Sequence, residues 1–106
     1  MEKVELIADF ERLVEENERF FFFKHSTTCP VSANAFDEYT AFLNEHPDEK
    51  GYYLAVQDSR ELSNYIADEY GITHQSPQAF LFESGKPSWH ESHWKITQEQ
   101  LKSSSS

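Results

Sequence analysis

Four consecutive phenylalanines, Phe20 to Phe23, follow Arg19 and limit the folds open to this chain. The run is too short for a helix and shows no apolar–polar alternation, so it reads as a strand covered on both faces. A central parallel strand with helices packed on either side is the expected result. The chain has 106 residues, the size of one domain. Its hydrophobic share is 38%, but 15% of the residues are aromatic, and such side chains bury enough area each to build a compact core.

Around that strand the pattern alternates helix and strand. Val4, Leu6, Ile7, Phe10, Leu13 and Val14 recur at helical spacing among acidic residues, which predicts an amphipathic helix over about residues 3 to 17. Pro30 suits the first turn of a second helix, where a missing N–H leaves no bond unmade. Its apolar residues run from Ala33 to Leu43, before Pro47. Asp48–Gly51 reads as a turn and Tyr52–Val56 as a second buried strand. Strand, helix, strand in this order is normally a right-handed parallel unit. A third helix, capped by Asp58 or Ser59, carries Leu62, Tyr65, Ile66 and Tyr70 and ends at Gly71. Ala79–Phe82 and Ser88–Trp94, joined at Ser84–Gly85, predict a β-hairpin. A short last helix starts near Thr97, with Gln100 at capping-box spacing and Leu101 as its anchor. One domain over residues 1–102 and a disordered serine tail, 103–106, are expected.

Nineteen acidic against nine basic side chains give a net charge of −10, and the basic ones do not cluster. Neutralising a phosphate backbone is unfavourable for such a chain, so nucleic acid is not an expected partner. The longest apolar stretches, such as Tyr52–Val56, fall far short of a membrane span, and residues 1–6 lack the pattern of a secretory signal. A cytoplasmic, monomeric protein is the expectation.

The single cysteine, Cys29, cannot close an intrachain disulfide. It stands between the end of the buried strand and the start of the next helix, where the helix dipole and free amides favour a thiolate, the nucleophile of thiol–disulfide exchange. Its neighbours Ser26, Thr27, Thr28, Pro30 and Ser32 are poor core material, which argues for exposure rather than packing. Ser32, three residues along, can donate its hydroxyl to the sulfur or satisfy a helix-start amide, and the two readings weigh equally. His25 can assist the thiol, although a solvated loop histidine is the stronger reading. His90 and His93 at odd separation on a strand point to opposite faces, so no metal site is expected. Trp89 and Trp94 read as packing residues.

The order strand, Cys29-Pro30-Val31-Ser32, helix, strand, helix, Ser76-Pro77, hairpin, helix resembles the thioredoxin and glutaredoxin superfamily over nearly the whole chain. More narrowly, Thr28-Cys29-Pro30-Val31-Ser32, with Ser76-Pro77-Gln78 and Ser92-His93-Trp94-Lys95-Ile96-Thr97, resembles the monothiol bacilliredoxins. This resemblance implies an α/β thioredoxin-like fold with a central four-stranded mixed sheet flanked by helices. It also implies removal of bacillithiol from S-bacillithiolated client proteins, with Cys29 catalytic. Pro77 matches the superfamily's cis-proline, and Ser76 is the residue whose backbone pairs with substrate. Thr28, Pro30, Ser32, Ser76 and Pro77 are the substrate contacts expected on this basis. No tightly bound cofactor is implied, only bacillithiol as co-substrate. Ser32 stands where two-cysteine relatives carry their resolving cysteine, so a low-molecular-weight thiol or another thiol protein must regenerate Cys29. A glutathione-using glutaredoxin, an iron–sulfur carrier and a redox-inert docking module are the alternatives. The carrier is disfavoured because Pro30 and Val31 replace the glycine and phenylalanine found between cysteine and serine in cluster-binding relatives.

Overall fold

The structure, a computed structural model, describes residues 1–106. Its elements are β1 (Glu2–Lys3), α1 (Ile7–Glu16), β2 (Arg19–His25), α2 (Pro30–Glu45), β3 (Gly51–Ala55), α3 (Arg60–Tyr70), β4 (Gln78–Glu83), β5 (Lys86–Ser92), a 3-10 turn (His93–Lys95) and α4 (Gln98–Ser105). The strands form one sheet in the order β1-β3-β2-β4-β5. β2 runs parallel to β3 on one side and antiparallel to β4 on the other, with Phe22 opposite both Tyr52 and Phe80. It is central, as the phenylalanine run requires, but parallel on one edge only.

The sheet has five strands rather than four. Glu2 and Lys3, just before and at the expected start of the first helix, instead pair in parallel with Tyr52 and Tyr53. Val4 donates its N–H to the Tyr53 carbonyl at 2.7 Å and is buried. The extended start therefore gains backbone bonds and a core residue before α1 begins at Ile7.

Successive residues of β2 point to opposite faces, and all four phenylalanines are at most 1% exposed. Phe20 and Phe22 join Phe10, Leu62, Ile66, Phe80 and Phe82 between the sheet and helices α1 and α3. Phe21 and Phe23 join Ala35, Tyr39, Phe42, Leu81, Ile96 and Leu101 between the sheet and helices α2 and α4. Phe20 stacks on Phe82 with ring centroids 4.9 Å apart, and Phe10 meets Phe22 edge-on at 5.0 Å. The fully buried Tyr39 hydroxyl donates to the Tyr52 carbonyl at 2.8 Å and accepts the Tyr52 N–H at 3.1 Å, tying α2 to β3.

Local chemistry sets the ends. Gly71 closes α3 at φ 64°, a left-handed conformation that glycine adopts without a Cβ clash. Thr97 Oγ1 accepts the Gln100 N–H at 3.1 Å, capping α4. That helix runs on through Ser105, into residues expected as a loose tail. Arg19 Nη2 donates to the Ser105 carbonyl at 2.9 Å, while Ser104 and Ser105 hydroxyls return to Leu101 and Lys102 carbonyls. No helix is long and apolar enough to cross a membrane.

Candidate active site

Cys29 is the N-cap of α2, partly exposed, in extended conformation. Pro30 follows in the first helical position. The N–H groups of Val31 and Ser32, in the first turn, have no acceptor within the helix, and the Cys29 side chain makes no capping hydrogen bond to them. Cys29 therefore stands at the positive end of the helix. Only backbone bonds hold Cys29 itself: its N–H reaches the Ser26 carbonyl at 3.3 Å and its carbonyl accepts the Ala33 N–H at 3.0 Å.

The loop before it is braced by two side chains. Gln57, just beyond β3, accepts the Thr27 N–H at 3.2 Å and donates to the hydroxyls of Ser26 at 3.1 Å and Thr28 at 3.2 Å. Ser32 Oγ, fully buried, accepts the Ser26 N–H at 2.8 Å and lies 2.7 Å from His25 Nδ1. Its hydroxyl is therefore bonded to the loop and the imidazole, not to Cys29. Of the two equal readings, satisfaction of a backbone amide describes this structure, although the amide is the loop's rather than the helix's.

His25 is no solvated loop residue. As the last residue of β2 it is half-buried and stacks on Phe36, centroids 4.3 Å apart and planes 8° apart. Desolvation lowers its pKa, with Asp37 acting weakly in the opposite direction. His93 is also displaced from its expected strand, opening the 3-10 turn at φ 55°.

The second half of the site comes from β4. The Ser76–Pro77 peptide is cis, and Pro77 is buried. Gln78 pairs with Lys24 of β2 and with Ser92 of β5, so Pro77 lies at the end of the sheet from which Cys29 departs. The Pro77 carbonyl accepts the His93 N–H at 3.1 Å, anchoring the 3-10 turn beside it. Ser76 Oγ is buried and makes no hydrogen bond. Cys29, Pro30, Ser76 and Pro77 therefore share one end of the sheet. Thr28, exposed there, has its oxygen engaged by Gln57, and Ser32 lies beneath.

Sequence reading missed three contributors. Gln57 carried no signal, being one polar residue in a turn. Trp94, expected as packing, is 66% exposed in the turn anchored to Pro77. Lys24 continues the Phe20, Phe22 alternation, which was the clue that it points inward.

The fold recurs among solved structures. Fasciola hepatica thioredoxin shares 21% identity, with 97% of this chain and 94% of that chain covered and a TM-score of 0.78. The oxidised mitochondrial thioredoxin 3 of Saccharomyces cerevisiae shares 18% identity, with 97% and 91% covered and a TM-score of 0.76. These two speak for the fold alone. A structure described as a proposed oxidoreductase with a thioredoxin fold is 45% identical, covering 98% of this chain and 92% of that chain at a TM-score of 0.94. The protein is an oxidoreductase of the thioredoxin fold that works by thiol–disulfide exchange. Residues 2–101 match the family described as monothiol bacilliredoxin BrxC, and the chain belongs to that family.

Proposed function

We propose that this protein removes bacillithiol from S-bacillithiolated cysteines of client proteins, with Cys29 as the nucleophile. The observation that carries the reading is a lone, partly exposed cysteine capping α2 in a chain where Ser32 fills the place of a resolving thiol. Cys29 stands at the positive end of α2, and its thiolate form is the nucleophile of the exchange. That thiolate attacks the bacillithiol sulfur of the mixed disulfide. The client leaves as a thiolate, which takes a proton from water, and bacillithiol remains disulfide-bonded to Cys29.

Ser32 offers no sulfur, so the intermediate persists until a second thiol arrives. A free low-molecular-weight thiol or a partner protein's thiolate attacks the bacillithiol sulfur, returning Cys29 as thiolate and carrying bacillithiol away as a new disulfide. The client chain approaches along Ser76, whose position before Pro77 leaves its backbone free to pair with an extended segment, and Thr28 and Pro30 border the thiol. A thiol that must be reduced between turnovers suits the cytoplasm.

Mass spectrometry tests the reading. The protein is mixed with an S-bacillithiolated client, with an S-glutathionylated client and the Cys29→Ser variant in parallel. Transfer of one bacillithiol mass to Cys29, slower transfer of glutathione and none to Cys29→Ser are expected. Equal transfer from both clients would make the protein a general monothiol reductase, and no transfer from either would refute catalysis by Cys29.

A further inference from the structure

Lys24 is the anomaly of the core. It follows Phe20 and Phe22 on the face of β2 packed against α3, and it is 0% exposed. None of the protein's ion pairs includes it. Its ammonium donates to the Ser63 carbonyl of α3 at 2.9 Å and to His74 Nδ1 at 3.2 Å, and it lies 5.8 Å from the Phe80 ring centroid. A buried charge with no carboxylate is destabilising relative to an apolar residue of similar shape, and a leucine or methionine here would simply extend the phenylalanine stripe. Burial pulls the Lys24 pKa down to about 8, so the ammonium form still predominates at neutral pH.

The groups it reaches all bear on one segment. His74 Nδ1, which also lies 3.2 Å from Ser63 Oγ, acts as acceptor for Lys24, which fixes the neutral ring with its proton on Nε2. Desolvation lowers the His74 pKa, and the charges of Lys24 and Arg60 lower it further, in keeping with that neutral form. Gln78, the register partner of Lys24 on β4, accepts the Gln75 N–H at 3.3 Å and donates to the Thr73 carbonyl at 3.2 Å. Thr73, His74 and Gln75 are thus each held from below, by two side chains that face one another across β2 and β4. The next two residues are Ser76 and the buried cis-Pro77.

We propose that Lys24 is a positioning residue for thiol–disulfide exchange, its buried ammonium fixing the Thr73–Gln75 segment through His74 and α3 so that Ser76 and Pro77 stand preformed for the substrate chain. This rests on the reading of Ser76–Pro77 as the substrate edge. Lys24 touches neither the thiol nor the substrate. Its effect is to remove the ordering cost that a loose loop would impose on docking.

Lys24→Met separates this role from a merely structural one, because replacing a lone buried ammonium by an apolar chain of similar length preserves or raises stability. The expected variant keeps its melting temperature or gains, and reacts with iodoacetamide at Cys29 at the wild-type rate. Its amides over residues 73–76 exchange with solvent faster, and its KM for a mixed-disulfide client rises about tenfold, as loss of a charge-assisted hydrogen bond would give, with kcat little changed. His74→Ala added to Lys24→Met should raise KM little further, since both act through one contact. Unaltered exchange and KM would overturn the proposal. So would a loss of melting temperature, which makes Lys24 structural, or a slowed alkylation, which places its effect on the thiol. The exchange measurement needs no turnover: a wild-type protein that moved no bacillithiol would refute the function, whereas unaltered exchange in Lys24→Met would refute the positioning role.

Discussion

The hydroxyl of Ser32 already accepts the Ser26 N–H, so its one proton has His25 Nδ1, 2.7 Å away, as its partner. That arrangement requires a neutral imidazole with its hydrogen on Nε2, and burial of the ring favours it. On protonation Nδ1 becomes a donor, and the serine must turn its proton elsewhere. The sign of the coupling to stability follows from the lowered pKa. The unfolded chain takes up the proton first as pH falls, so the contribution of His25 is fully present above the ordinary histidine value of about 6.5 and is lost as pH falls from there through the folded pKa. His74, lowered by burial and by Lys24, acts in the same direction. Urea unfolding at pH 7 and at pH 5.5 should therefore show lower stability in acid. His25→Phe, which keeps an aromatic ring over Phe36, should show a smaller drop. An identical drop in the variant would mean that the folded ring titrates as it does in the unfolded chain.

At the scale of elements, what could be read in the sequence was what short-range chemistry decides. β2 was legible because burial on both faces leaves a run with no polar alternation, and the α4 cap because Thr97 and Gln100 stand at the spacing their bond requires. β1 was not: two residues have no period, and Glu2–Lys3 is a strand only because β3 lies beside it. The helical end of the serine tail depends on Arg19, which is 86 positions away in the chain. In the site, Cys29 and Pro30 announced a helix start, but the partners of Ser32 could not be known before Ser26 and His25 were folded against it. Gly71 was legible as the end of α3, and it also opens the connection that leads to Ser76–Pro77. At φ 64°, with no atom within 4 Å of a Cβ built there, Gly71→Ala meets strain but no collision. The expected cost is about 1 kcal/mol, from the left-handed backbone alone. A urea midpoint shifted by that amount with unchanged slope would agree. No shift would mean that the end of α3 relaxes to another conformation.

The whole molecule carries a net charge of −10 within dimensions of 31 × 30 × 23 Å. In 0.01 M salt the screening length is about 30 Å, so a small anion approaching Cys29 feels nearly all of that charge, whereas in 0.15 M salt it is about 8 Å and only the immediate surroundings count. Those surroundings include positive groups: the N-terminus of α2, and Lys95, exposed in the turn anchored to Pro77. An anionic thiol or disulfide is thus repelled at long range and accepted at short range, and salt decides how far out the change of sign occurs. Two alkylating reagents of the same size separate the effects. Reaction of Cys29 with iodoacetate should quicken about two- to fivefold between 0.01 M and 0.15 M salt, while reaction with neutral iodoacetamide stays level. An iodoacetate rate that falls with salt would mean that the local positive field reaches beyond the acidic surface even when unscreened, and that anionic disulfides are drawn to Cys29 from solution.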